Sequence, residues 1–181
     1  GHVYGMPFSA AQVLRIDPET NATSLFGDVG DQRFKWSHGV LAGNGLIYGI
    51  PATAPAVLWI SPSTLSVGML PSAALGMGTQ KWVHGVLGPA GDIYGIPGDA
   101  STVLRIDPLA QTASTFGNLG AGVQKWSYGL LGIDGKIYGV PASANAVLRV
   151  NPGLPFSVDA TLGGGVIPTG AWKWQHGVAA S

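Results

Sequence analysis

One pentapeptide pattern, Lys-Trp-x-His/Tyr-Gly, is written four times in this chain: Lys35-Trp36-Ser37-His38-Gly39, Lys81-Trp82-Val83-His84-Gly85, Lys125-Trp126-Ser127-Tyr128-Gly129 and Lys173-Trp174-Gln175-His176-Gly177. A second pattern, Tyr-Gly-x-Pro, alternates with it, beginning at Tyr4, Tyr48, Tyr94 and Tyr138. Copies recur every 44 to 48 residues. A period in that range marks a unit that cannot bury its apolar face alone and does so by stacking on its neighbours. The repeat also acts as an internal alignment, separating what the architecture fixes from what is free to vary.

Each unit reads as four short strands. After Lys35, the run 36–41 alternates and has strand character. Gly43-Asn44-Gly45 follows as a hairpin signal, with Asn-Gly suited to a type I′ turn. A second strand over 46–50 stops at Pro51, which has no N–H for a ladder. A third spans 57–60 and ends at Ser61-Pro62, where other copies have Asp17-Pro18, Asp107-Pro108 and Asn151-Pro152; an Asx/Ser-Pro pair starts a tight turn. A weaker fourth strand lies near 65–69, before a glycine-rich return. No helical periodicity of useful length appears, and 29 glycines with 13 prolines suit many strands joined by turns.

Four antiparallel strands per unit describe a propeller blade. The order of a Gly-Val/Leu strand, an Asn/Asp-Gly turn, an Ile-Tyr strand and a Val-Leu-x-Ile-Asp-Pro strand resembles β-propeller repeats of the NHL and YVTN type, over the whole chain. The Gly-His…Trp-Asp pattern of WD repeats is absent. The expected fold is all-β: one four-bladed propeller over 1–181, with blades 173–181 plus 1–34, 35–80, 81–124 and 125–172. The N-terminus opens at a second strand and the C-terminus ends with a first strand. Pairing residues 173–178 with residues 3–7 is therefore expected to close the ring as the sixteenth strand, with the termini in a hairpin turn. The rival arrangement is two chains sharing an eight-bladed ring, since four blades are near the lower limit.

Composition narrows the function. Charged residues are only 10% and the formal net charge is zero, so no global field draws nucleic acid or an anionic membrane. No apolar run reaches the ~18 residues of a membrane span. Without cysteine, thiolate metal sites and disulfides are excluded. The chain shows no signal peptide and no initiator Met and reads as processed or excised from a longer one. Asn21-Ala22-Thr23 forms a glycosylation sequon in a turn, which leans the reading toward an extracellular setting.

Three sets of residues are candidates for chemistry. His38, His84 and His176 share a strand face with the tryptophans two residues before them, and three imidazoles would suit zinc, copper or iron. The third copy carries Tyr128 instead, a poor neutral ligand but a fair planar filler, so an architectural Trp-His ladder is expected and no metal. Lys35, Lys81, Lys125 and Lys173 open the innermost strand of each blade and would ring one mouth of the channel, a concentration of charge suited to an anion. The alternative is that each is a solvated strand-start residue or pairs with a loop carbonyl. The loops after Tyr-Gly-x-Pro vary most between copies and supply Gln12, Thr53, Asp99, Ser101, Ser143 and Asn145; variable polar loops on a fixed scaffold are where specificity sits. Arg15, Arg105 and Arg149 lie two residues before Asp17, Asp107 and Asn151 and read as a structural polar ladder.

No nucleophile elbow, phosphate-cradling loop, zincin or EF-hand pattern occurs. The expected function is a non-enzymatic, lectin-like binding module. It would hold a glycan or small anion at the Lys and variable-loop face, without a cofactor, membrane insertion or nucleic-acid partner. The alternatives are a structural repeat unit of an oligomeric or filamentous extracellular assembly, with self-association, and then an enzyme with its active site at the channel mouth.

Overall fold

The computed structural model describes residues 1–70 and 75–180. Every regular element of length is a strand. Blade 1 is β1 (Val3–Gly5), β2 (Val13–Ile16) and β3 (Thr23–Phe26); blade 2 is β4 (Trp36–Leu41), β5 (Ile47–Pro51), β6 (Val57–Ser61) and β7 (Ser66–Leu70). Blade 3 is β8 (Trp82–Leu87), β9 (Ile93–Pro97), β10 (Val103–Asp107) and β11 (Thr112–Phe116); blade 4 is β12 (Trp126–Leu131), β13 (Ile137–Pro141), β14 (Val147–Asn151) and β15 (Ser157–Leu162). Each blade is an antiparallel meander, as the four-repeat β-propeller reading requires. The register repeats: Trp36 faces Pro51, Gly39 faces Gly49 and Val40 faces Tyr48, as Trp82, Gly85 and Val86 face Pro97, Gly95 and Tyr94.

The first hairpin of blades 2, 3 and 4 departs from the expected turn. Of the Asn44-Gly45 pair only Gly45 has positive φ, at 80°, and the same holds for Gly91 and Gly135 in blades 3 and 4. Gly45 N–H donates to Ala42 O and Ala42 N–H to Leu46 O, so a three-residue loop ends in a left-handed glycine bulge instead of a type I′ turn. Asn44 is spared the left-handed region, and its side-chain oxygen accepts from Leu46 N–H at 3.1 Å. The strand-ending turns behave as expected: Asp17 Oδ1 accepts from Glu19 N–H and Asp107 Oδ1 from Leu109 and Ala110 N–H. These amides hold both carboxyls below their usual range.

The core lies between blades. One cluster joins Tyr48, Ile50, Val57 and Leu70 of blade 2 to Trp82, Ile93, Leu104 and Ile106 of blade 3. Another joins Val86, Tyr94, Ile96 and Val103 of blade 3 to Trp126, Ile137, Leu148 and Val150 of blade 4. A third joins Val13 and Val29 of blade 1 to Trp36, Leu58 and Ile60 of blade 2. The inner strands run side by side, β4 next to β8 and β8 next to β12. Glycine makes that approach possible: a Cβ at Gly85 would lie 2.7 Å from Ile50 and Val40, and one at Gly129 only 2.4 Å from Ile96. Each inner strand is thereby wedged against the preceding blade.

Ring closure is where the structure differs from the sequence reading. The expected sixteenth strand does not form: among the described residues, 163–180 carry no strand, and the only sheet neighbour of β1 is β2. Residues 173–177 instead continue the arc beyond blade 4. Ser127 Oγ donates to Trp174 O at 2.9 Å, as Ser37 Oγ does to Trp82 O at 3.0 Å. A Cβ at Gly177 would meet Leu130 and Val140. The segment sits where the first strand of a following blade would sit. Ser181, the last residue of the blade bounds drawn above, lies outside the described residues.

Candidate functional site

The lysine that opens each inner strand is buried, with Lys35, Lys81 and Lys125 only 3–6% exposed. A buried ammonium needs acceptors for its protons, and the variable loop of the preceding blade supplies them. Lys35 Nζ donates to Ala10 O at 2.9 Å and Gln32 O at 2.7 Å. Lys81 Nζ donates to Thr53 O and Ala54 O, and Lys125 Nζ to Asp99 O, Ala100 O and Gly122 O. Lys173 Nζ repeats the pattern with Ala142 O and Gly170 O. Burial lowers the pKa of Lys35, Lys81 and Lys125 from the usual lysine value. The ammonium of Lys35, Lys81 and Lys125 also lies about 6 Å from the ring centre of the next tryptophan (5.9, 6.0 and 5.9 Å). The lysines thus clamp one blade to the next, and their protons point at carbonyls instead of into an open channel mouth.

Beside two of these clamps lie clefts of similar form. The cleft between blades 2 and 3 has a volume of about 460 Å³ and is lined by Thr79, Lys81, Asp99, Ser101, Thr102 and Thr115, among others. Its counterpart on blade 4, about 540 Å³, is lined by Gly122, Lys125, Ser143, Asn145, Thr169 and Gly170, among others. Of the loop residues singled out from sequence, Asp99 and Ser101 come together with Lys81, and Ser143 and Asn145 with Lys125. Gln12 is exposed on the loop of blade 1, and Thr53 Oγ1 donates to Arg33 O and Phe34 O. Asp99 is partly committed, since its Oδ1 accepts from Gln124 N–H at 2.7 Å.

Sequence reasoning missed the second wall of each cleft, the return loop with Gly78 and Thr79 or Gly122, Thr169 and Gly170. The sequence carries no signal for it; in the structure the residue directly before each lysine marks the loop, with Phe34, Gln80, Gln124 and Trp172 all at φ between 44° and 62°. A left-handed non-glycine residue at four equivalent points shows the chain held into a sharp bend there.

The aromatic positions stack along the inner strands. His38 and His84 have ring centres 4.0 Å apart and 35° between planes; His84 and Tyr128 are 3.9 Å apart at 38°, and Tyr128 meets His176 at 5.2 Å. The first two pairs are tilted and Tyr128 meets His176 edge on at 67°, and no group of three or more His, Asp or Glu is arranged for a metal among the described residues. His38 Nδ1 accepts from Gly85 N–H at 3.3 Å. Burial, with His38 and His176 adding to it, lowers the pKa of His84 to about 3. Its Nδ1 is buried with no hydrogen-bond partner, so the backbone partner expected for each imidazole is present at His38 and not at Nδ1 of His84.

The arginine partners come from several elements: a hairpin and β10 for Arg105, β15 for Arg149 and the N-terminal residues for Arg15. Arg105 pairs with Asp92 at 2.9 Å and Asp107 at 3.2 Å, with its guanidinium 4.7 Å from the centre of the Phe156 ring. Arg149 pairs with Asp159 at 2.8 Å, and Arg15 contacts His2.

No protein-family model and no curated protein matches the sequence. Solved structures share its shape. Virginiamycin B lyase from Staphylococcus aureus superposes with TM-score 0.70 at 15% identity, over 88% of this chain and 51% of that one. A streptogramin B lyase gives 0.69 at 15% identity, over 94% and 54%. An auxiliary nutrient binding protein from Bacteroides ovatus gives 0.65 at 13%, over 96% and 43%. The chain spans about half the length of the structures it matches. At these identities the likeness concerns the propeller fold alone.

Proposed function

We propose that this chain is a non-enzymatic binding module for a glycan, held in the clefts between neighbouring blades. The observation that carries this reading is the recurrence of one cleft frame with different polar linings. The lysine clamp and buried tryptophan recur at each junction, whereas Asp99, Ser101 and Thr102 on one blade become Ser143, Asn145 and Ala146 on the next. A fixed frame with exchangeable hydroxyl and amide groups suits ligands rich in neutral hydroxyls. An inorganic anion is the weaker partner, because the cations nearest the clefts already donate to carbonyls. The fold shared with nutrient-binding proteins is in keeping with a binding role. Repeated clefts on one body would add avidity for a branched or repeating ligand.

A glycan array on the purified chain, followed by calorimetry, tests the reading. Binding of at least one glycan class is expected, weakened several-fold by Ser101→Ala or Asn145→Ala with the melting temperature unchanged. An anion thermal-shift screen runs alongside. Stabilisation by sulfate or phosphate without any glycan binding would replace the glycan with an anion, and silence in both would remove the binding reading.

A further inference from the structure

β1 and residues 173–177 carry complementary parts of one blade. In blades 2, 3 and 4 the Tyr-Gly-x-Pro strand is covered by a Lys-Trp-x-His/Tyr-Gly strand, whereas β1 of blade 1 presents that edge uncovered. At the far end, residues 173–177 carry the covering sequence and have no sheet partner. We propose that the occupant of the β1 edge is the 173–179 segment of a second copy of this chain. Two copies then donate this strand reciprocally and complete one eight-bladed ring about a twofold axis.

Four observations converge on this pairing. First, the other blades supply its register: Trp36 faces Pro51, Gly39 faces Gly49, Val40 faces Tyr48 and Leu41 faces Ile47. By the same rule Trp174 faces Pro7, Gly177 faces Gly5, Val178 faces Tyr4 and Ala179 faces Val3. Second, the donor is already shaped. Trp172 has φ 55°, like Phe34 at 62°, Gln80 at 44° and Gln124 at 50°, and Lys173 makes the usual clamp. Third, both sides lack specific bonds that the other blades make. The indoles of Trp36, Trp82 and Trp126 donate to the carbonyls of Ala56, Thr102 and Ala146, each five residues beyond the facing proline. The corresponding acceptor for Trp174 is the carbonyl of Gln12, and Trp174 stands 42% exposed where the other three are 1–2%. Likewise Ala52, Gly98 and Ala142 N–H donate to the carbonyls of Lys35, Lys81 and Lys125, whereas Phe8 N–H turns back to Met6 O at 2.8 Å.

The fourth observation favours a partner over the chain's own tail. Within the chain, residues 173–177 lie against blade 4, through Ser127 Oγ to Trp174 O and Lys173 Nζ to Ala142 O, and form no ladder with β1 among the described residues, which leaves the segment available to a second copy. An uncovered strand edge is in any case a template for another chain. This pairing stands independently of what the clefts bind.

Light scattering on the eluting chain is expected to give twice its 18.5 kDa mass at micromolar concentration. The double variant Val178→Pro/Ala179→Pro places proline at two adjacent, exposed positions, so whichever amide faces β1 is lost. It is expected to shift the mass to that of one chain while the circular dichroism of the blades is kept. Because the chain has no cysteine, Val3→Cys and Ala179→Cys report the register. Mixed and oxidised, the two single variants are expected to form a disulfide-linked dimer that neither forms alone. A single-chain mass at every concentration would overturn the proposal. So would internal disulfide closure of the Val3→Cys/Ala179→Cys chain at single-chain mass, or a dimer that survives the proline pair and yields no mixed disulfide.

Discussion

The same five-residue pattern sits in two settings in this molecule, and the contrast isolates what a partner strand contributes. Lys125-Trp126-Ser127-Tyr128-Gly129 and Lys173-Trp174-Gln175-His176-Gly177 both bend at a left-handed residue and both seat a lysine against the preceding loop. Only the first is a strand, and only its tryptophan is buried. Local sequence therefore sets the entry bend and the clamp, and the neighbouring strand sets the ladder and the burial of the indole. Conformation at this motif precedes pairing.

The sharpest test compares the two tryptophans in dilute solution. Trp126→Ala removes a fully buried indole and orphans Ala146 O, so a loss of about 3–5 kcal/mol by denaturant unfolding is expected. Trp174→Ala should cost under about 1 kcal/mol there, as truncation of a half-exposed side chain does. Equal losses would mean that the last repeat is as tightly held as the third.

The lysines give the next contrast. Lys125→Met leaves three part-buried carbonyl contacts without their charged donor, expected to cost about 1.5–3 kcal/mol. Lys173→Met, at a more exposed site with two acceptors, should cost less than half of that. A smaller loss for Lys125 than for Lys173 would break the view of a clamp strengthened by burial.

His84, packed between His38 and Tyr128, is held neutral in the native state to about pH 3, whereas an unfolded histidine titrates near 6.5. Between those values the unfolded chain binds a proton that the native chain does not, so stability falls as pH drops from about 6.5 toward 3. Unfolding free energies at pH 7 and 4.5 should differ less in His84→Leu than in the parent chain. His84→Ala, which opens a gap in the stack, should cost about 1–3 kcal/mol at pH 7.

The smallest expected effect is within one turn. Gly45 has φ 80° and open space around its Cβ position, so Gly45→Ala costs only backbone strain, about 1 kcal/mol. Gly43→Ala, with ordinary φ and equal space, should fall within about 0.5 kcal/mol of zero in the same thermal melts.

Much of the blade was legible because its signals are local. Strand β4 occupies the residues read from alternation, β5 is shifted by one residue at both ends, and β6 is one residue longer than the expected run. The period counted the blades, because Tyr-Gly-x-Pro and Lys-Trp-x-His/Tyr-Gly each map onto one strand. The hairpin turn was misread because Asn-Gly serves both a type I′ turn and a glycine bulge, and the choice rests on the hydrogen bond closed by residues outside the dipeptide. The closing pair of strands was legible as matching edges, and the described residues do not show it formed, because matching edges state that two strands fit and not which copies bring them together. At the cleft, the loop residues were found by their variability, and the return loop escaped because its role lies in a backbone angle.

The clamp has one further consequence. Each lysine reaches backward, from the start of one repeat to the loop of the repeat before it, and never across the ring. Coupling of that kind connects nearest neighbours in series, like links of a chain under tension, so the array behaves as a linear lattice whose ends have one joint and whose interior members have two. Among the described residues blade 1 has three strands and is tied to the array by the Lys35 clamp alone. In the single-chain Val178→Pro/Ala179→Pro variant, amide exchange should therefore run as a gradient, fastest in β1 and β2 and slowest in the sheets of blades 2 and 3, and a second copy on β1 in the parent chain should flatten it.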